Sequence, residues 1–597
     1  MWLIYTLPSI KNKKSPVDNH SYIYLRLKSV TSSQIRGGVI MSERTYEAPG
    51  PGCWELDTTH FSKPLSLFSA SAIPPGSRRG FMEGTARYGL LISHMANVVI
   101  HGFNYSKMVM AFAPDDAPAG PPPEGYFEMP DMVARIEAGV EAIANKLWRE
   151  DLRIWDEDIK PDSIRRNNTL QTINPTDLDI AALIDHINDC SENLTEMWYR
   201  HHRFTIPSLM PVGLYLAHAS LWGGVTVNEA LALLKGSTPV SLGIAAEDLK
   251  SIGKALNESG FDVTELEGLT AEEAMSKLRA INESIESSVA RYIDLVGYQL
   301  TSGYDVTEKY LLEMPEILLA NILAAAKILQ NEAIPDQTDV SIIRNKIPLE
   351  HQEAFDGMLA EARLINRLRD ERGIYNEARG YGLARRAIKE AGARLVADGR
   401  LPESELMVFA ALDEMSALLN GATSPTSETL LERQDWYQTK TTDDAPAYIG
   451  SEPEPPPPLE ALPEKARLGQ MAIGAAIGQV FDPPEVEKRE GIEVQGHPVS
   501  PGMFEGIARV IKGPEDFHRI KQGDVLITKN TAASFNVVLP IIGALVTDRG
   551  GQLSHAAIVA REYGIPGIVS TRDATRQIPD GARVRVDGSS GTVEVLK

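Results

Sequence analysis

Between residues 541 and 566 the chain reads as an apolar strand, a glycine turn and a helix, and few folds accept that unit. Residues 541–546 are aliphatic apart from Gly543, as in a strand buried on both faces. Gly550 and Gly551 then allow a tight turn with exposed backbone amides. Ser554 stands at an N-cap position, residues 556–562 continue as helix, and Gly564 with Pro566 ends it. His555 therefore falls in the first helical turn. Free N–H groups and the positive end of the helix dipole favour an anion such as phosphate there. The same dipole keeps the imidazole neutral, with a ring nitrogen free to attack phosphorus. Thr547, Arg549 and Ser554 are placed to donate hydrogen bonds or charge to phosphoryl oxygens, and Gly550 and Gly551 to cradle them. Taken alone, a structural histidine at a strand-to-helix turn accounts for the same residues.

The pattern extends from about residue 496 to 597. It includes Gly496-His497-Pro498-Val499-Ser500-Pro501-Gly502, Gly523-Asp524-Val525-Leu526, the stretch from Thr547 to Pro566, and Val586-Asp587-Gly588. This resembles the swivelling phosphohistidine domain of the phosphoenolpyruvate-utilising enzymes. The resemblance implies an α/β domain with His555 as the phosphorylated residue.

At 597 residues the chain is too long for one core. A net charge of −22 argues against a general nucleic-acid binder. Two cysteines, Cys53 and Cys190, suit a reducing cytoplasm better than a disulfide scaffold, and no metal-type spacing appears. No membrane span is expected from the apolar runs. Residues 1–40 carry six Lys/Arg against one acidic residue, Asp18, and differ from the rest. They are expected to be disordered or an over-called extension ahead of a natural start at Met41.

Residues 41–435 are expected to form a mainly helical domain after an irregular Pro/Gly-rich opening. Residues 436–490, with four prolines at 455–458, are expected to be a semi-rigid linker, and 491–597 the carrier domain. A second resemblance lies in the middle. Gly50-Pro51-Gly52-Cys53-Trp54-Glu55-Leu56-Asp57 with His60-Phe61, Gly102-Phe103-Asn104-Tyr105 and Tyr381-Gly382-Leu383-Ala384-Arg385-Arg386 carry it. They look like the acceptor-substrate domain of rifamycin phosphotransferases and the matching, larger subunit of phenylphosphate and 4-methylphenyl phosphate synthases. That implies an apolar pocket for a hydroxyl-bearing acceptor.

Arg372, Arg379 and Arg386 recur every seven residues and share one helical face if the helix reaches back to 372. Such a stripe is expected either to receive a phosphohistidine or to be a solvated basic face paired with Glu377 or Glu390. His201 and His202, after Met197-Trp198-Tyr199, are candidates for the base that takes the acceptor proton, or helix-end histidines. Trp54, Phe103 and Tyr105 are candidates for lining an aromatic pocket, or ordinary core.

No Gly-x-x-x-x-Gly-Lys-Ser/Thr loop occurs in the sequence. By resemblance, an ATP-grasp-type partner subunit binds ATP and Mg²⁺ and phosphorylates His555, releasing AMP and phosphate. The chain then passes the phosphoryl group to a phenol or alkylphenol. Another hydroxylated acceptor such as a rifamycin-like antibiotic, or a phosphorelay role, are the alternatives.

Overall fold

The computed structural model describes residues 44–117, 120–238, 246–266, 268–328, 339–480, 494–531, 535 and 538–596. The expected extension at 1–40 lies outside them.

Strands β1 (Cys53–Leu56), β2 (Ile92–Ile100), β3 (Phe103–Met110) and β4 (Tyr448–Gly450) make an antiparallel sheet in the order β2-β3-β1-β4. Trp54, Phe103 and Tyr105 are buried in its core against Val109 and Ile449, and the Tyr105 hydroxyl donates to the Pro446 carbonyl at 2.9 Å. These three are core residues of the sheet, not pocket lining. The opening segment is also more regular than its Pro/Gly content suggests. Helix α1 (Leu67–Arg87) starts at an N-cap, Ser66, and runs through Pro74 and Pro75. Tertiary packing overrides propensity there. Gly76 and Gly80 let α1 lie on helix α2 (Ile180–Arg203) so closely that a Cβ would meet the Thr195 or Tyr199 carbonyl oxygen at 2.3 Å.

The middle of the chain is helical, as expected. Four helices frame the site: α2, α3 (Thr205–Gly223), α4 (Gln352–Ile374) and α5 (Glu377–Ala397). The stretch Ile180–Gly223 has the length and apolar composition to cross a membrane, contrary to the expectation of none, but 83% of its most apolar window is buried within the protein.

The linker expected at 436–490 is largely built into the body. β4 pairs with β1 through Trp54 and Ile449, and α6 (Glu464–Ile477) buries Ala472, Ile473 and Ala476 on α3. The exposed prolines 455–458 join two packed elements and so do not act as the tether. Alternating small and apolar residues in α6 carried a packing signal that the neighbouring prolines obscured. The connection onward runs through 478–493, of which 481–493 lie outside the described residues.

The C-terminal sheet comprises β5 (Val494–Gln495), β6 (His497–Ser500), β7 (Met503–Ile511), β8 (Val525–Thr528), β9 (Ala544–Thr547), β10 (Gly567–Val569), β11 (Arg583–Asp587) and β12 (Thr592–Val595). Their order is β5-β12-β11-β7-β8-β9-β10-β6, with β7 to β10 parallel. Leu526 and Leu545 fill one face and Val525, Ile527 and Val546 the other, as parallel strands covered on both sides require. Helix α7 (His555–Tyr563) crosses from β9 to β10.

Tyr46–Lys597 forms one compact unit, with the C-terminal sheet docked on the helical body. The Leu553 amide donates to the Gln479 carbonyl at 2.7 Å, and the Glu562 carboxylate accepts from the Gly236 amide at 2.9 Å and the Thr238 hydroxyl at 3.2 Å.

Candidate active site

The turn from β9 into α7 is fixed from within. Gly550 has φ +114°, and a Cβ on it would come within 2.9 Å of Ser554 Oγ. Ser554 caps α7 by accepting from the Ala557 amide at 3.3 Å. Thr547, fully buried, donates its hydroxyl to the Arg549 carbonyl at 2.8 Å. Its hydroxyl proton holds the turn and is not offered to a phosphoryl group, contrary to expectation. Arg549 likewise pairs with Asp443 of the body, Nη2 to Oδ1 at 3.3 Å, so it works at the docking contact.

His555 opens α7. Its Nδ1 lies 2.9 Å from Thr531 Oγ1, while Nε2 is buried without a hydrogen-bond partner among the described residues. Burial pushes its pKa down to about 4; Asp370 pulls it back and Arg369 pushes it further down. The ring is neutral at pH 7, as a nucleophile requires. Thr531 was not legible as a site residue. It follows β8, whose Thr528 pairs with Thr547 of β9, so the two loops leave the same edge of the parallel sheet.

The end of α4 lies beside His555, where the charges of Arg369 and Asp370 act on the ring. The helix breaks at Tyr375-Asn376, and Asn376 Nδ2 holds the break by donating to the Arg372 carbonyl at 2.6 Å. The arginine stripe is split for that reason. Arg379 donates to Gln171 Oε1 and the Asp294 carbonyl, and Arg386 to the carbonyls of Leu170, Gln171 and Ile173. Both tie α5 to the end of a neighbouring helix and neither joins the site. Arg372 does: Nη1 donates to the His201 carbonyl at 2.9 Å and Thr205 Oγ1 at 2.7 Å, and Nε has no partner. Burial, reinforced by Arg369, lowers Arg372 to about 10. Arg369 Nη1 is also buried without a partner.

His201 and His202, near the end of α2, complete this wall. His201 Nδ1 sits 2.7 Å from Glu377 Oε1, out of hydrogen-bond alignment, so both Glu377 oxygens and both histidine Nδ1 atoms stay unpartnered. Burial drives both histidines well below their usual range and Glu377 well above the carboxylate range. Burial thus disfavours the charged form of all three groups. Aromatic rings surround them. Trp198 and Phe81 stack on His202 at 5.4 and 4.2 Å, and Tyr304 meets Trp198 and Phe61 edge-on. Arg369, Asp370, Glu377 and Tyr304 were missed in sequence. Arg369 was within reach, three residues before Arg372 on one helical face.

Among the described residues, no group of three or more His, Cys, Asp or Glu is arranged to hold a metal ion.

The arrangement sets a buried, unpartnered histidine nitrogen at the start of α7, beside charged residues of α4. Residues 520–591 match the family described as PEP-utilising enzyme, mobile domain. The rifampicin phosphotransferase of Bacillus subtilis is 23% identical across 98% of this chain and 63% of its own length. The uncharacterized phosphotransferase YvkC of the same organism is 28% identical across 54% of this chain and 38% of its own. The phosphoenolpyruvate synthase of Aeropyrum pernix is 46% identical across 19% of this chain and 14% of its own. The chain thus spans less than two thirds of the length of these curated relatives.

Proposed function

We propose that this chain is the carrier and acceptor part of an ATP-dependent phosphotransferase that moves a phosphoryl group from His555 to the hydroxyl of a phenol or alkylphenol. The observation that carries this reading is the unpartnered Nε2 of His555, buried where the charges of Arg369 and Asp370 act on the ring. With Nδ1–H donating to Thr531, the Nε2 lone pair is the one that accepts phosphorus. In the transfer step the Nε2–P bond breaks, its electrons return to the imidazole, and the acceptor oxygen bonds to phosphorus as its proton leaves. Arg369 and Arg372 neutralise the transferring group. Trp198, Tyr304 and Phe61 offer faces and edges for an aromatic ring.

In this reading the ATP-binding partner is a separate ATP-grasp-type subunit that holds ATP and Mg²⁺ and releases AMP and phosphate. The described residues of this chain present no such metal ligand set, and no step here runs through either group. The carrier domain would leave the body to collect phosphate and return. A cytoplasmic location goes with this reading and with the free thiols Cys53 and Cys190.

A second acceptor class, a larger rifamycin-like hydroxyl compound, is favoured by the alignment with rifampicin phosphotransferase along nearly the whole chain. The test combines the chain with candidate ATP-grasp subunits and ATP labelled at the β phosphate. Acid-labile label on the wild type and not on His555→Ala, removed by phenol or 4-methylphenol, is the expected result. Label removed only by rifampicin would shift the acceptor class. Label persisting in His555→Ala would overturn the reading.

A further inference from the structure

His201 and His202 are the histidines the sequence offers as acceptor-side bases, yet the structure holds both neutral with a weak hold on protons. A different histidine has the geometry of a base. Asp57 follows β1 directly, and its Oδ1 accepts from the backbone amides of Thr59 at 3.1 Å and His60 at 3.0 Å. The same carboxylate lies 3.1 and 3.0 Å from His60 Nδ1 through its two oxygens. One partly buried acid thus builds the turn and fixes the ring. It sets the tautomer with hydrogen on Nδ1 and the lone pair on Nε2.

The dyad belongs to the site. The charges of Arg372 and Arg369 both act on His60, and Arg369 acts on His555 as well. His60 in turn acts on His201 and His202. It stands beside Phe61, which faces Tyr304. Although hemmed in by these groups, its side chain keeps 42% of its surface open, against 14% for Asp57.

We propose that His60, oriented by Asp57, is the general base that takes the acceptor's hydroxyl proton; this rests on the phosphotransfer reading above. As the acceptor oxygen bonds to phosphorus, its proton passes to His60 Nε2 and the Nε2–P bond of His555 breaks, leaving a neutral imidazole there. The His60 imidazolium then gives its proton to solvent. Burial and the charges of Arg372 and Arg369 oppose protonation of His60, but Asp57 outweighs them and raises its proton affinity. Glu377 is less suited, because burial disfavours its charged form and it stands against His201 Nδ1 at 2.7 Å. Asp370, acting on His555 from α4, is the rival.

The test uses the full chain phosphorylated with phosphoramidate, with His555→Ala as the blank. Label is chased with phenol and with the far more acidic 4-nitrophenol in wild type, His60→Gln, Asp57→Asn and Asp370→Asn. A phenol that is already ionised needs no base. His60→Gln is expected to slow transfer to phenol roughly 10²–10⁴-fold and to 4-nitrophenol far less, with Asp57→Asn between it and wild type. Added imidazole should restore part of the loss in His60→Ala. Equal losses on both acceptors, no loss, or an acceptor-dependent loss confined to Asp370→Asn would overturn the assignment. Wild type that keeps its label with every phenol would overturn the phosphotransfer reading, and this one with it.

Discussion

Acid should weaken the docked state through His555, by an amount the structure sets. In water an imidazole titrates near 6.5, and in the docked position His555 sits at about 4, chiefly because burial penalises its charge. The docked form therefore resists protonation, and any state that returns His555 to water gains a proton as pH falls. Above pH 6.5 both forms are neutral and the effect vanishes. It grows as pH drops from 6.5 toward 4. At pH 5.0 linkage gives about 2 kcal/mol against docking, roughly a 30-fold shift, against about 0.1 kcal/mol or less at pH 7.5. Other groups titrate too: Glu377 and Glu562 are raised, and His201 and His202 are lowered. The His555→Gln variant keeps all of these and removes only the term in question. The assay is hydrogen exchange at the Leu553 amide, whose acceptor, the Gln479 carbonyl, lies on the body. After correction for intrinsic rates, wild type should lose roughly 30-fold more protection between pH 7.5 and 5.0 than His555→Gln does. An equal loss in the two proteins would refute the reasoning, as would a smaller loss in wild type.

The remaining predictions concern the turn, the ring orientation and the arginines. Gly550→Ala places a Cβ 2.9 Å from Ser554 Oγ at φ +114°. It should cost about 1–3 kcal/mol, read as a lower melting temperature and weaker labelling of His555. Thr531→Val removes the Nδ1 partner of His555. It should slow phosphorylation about fivefold, the value of about 1 kcal/mol for one hydrogen bond, and change the ¹⁵N tautomer signature of the ring. Arg369→Ala should lower the chase rate roughly 10²–10³-fold with little change in melting. Arg386→Ala should do the reverse, because it frees three carbonyls and touches no acceptor. Paired melting and chase measurements on the two variants separate these roles, and a transfer defect confined to Arg386→Ala would restore the stripe.

Local chemistry determined much of the C-terminal domain. Residues 544–547 are apolar or β-branched because the strand is covered on both faces, Gly550 is needed for φ, and Ser554 and Gly564 bound α7 by capping rules that act over three or four residues. Those signals are short-range, so sequence reports them without knowledge of the rest of the molecule. The mainly helical character of residues 41–435 was legible for the same reason. Tertiary structure alone decided which residues meet. Asn376 breaks the helix that would have aligned Arg372 with Arg379 and Arg386, and a periodicity of seven cannot reveal a break held by contacts with Ser163 and Asn167. Trp54, Phe103 and Tyr105 are as suited to a pocket as to a core, and only the pairing of β1 with β3 and β4 consigns them to the core. Thr531 meets His555 across a loop, and Arg369, whose charge acts on both His60 and His555, connects residues nearly 500 positions apart in the chain. Separations of that size leave no periodic trace, because it is the docking of one domain on another that brings the groups together.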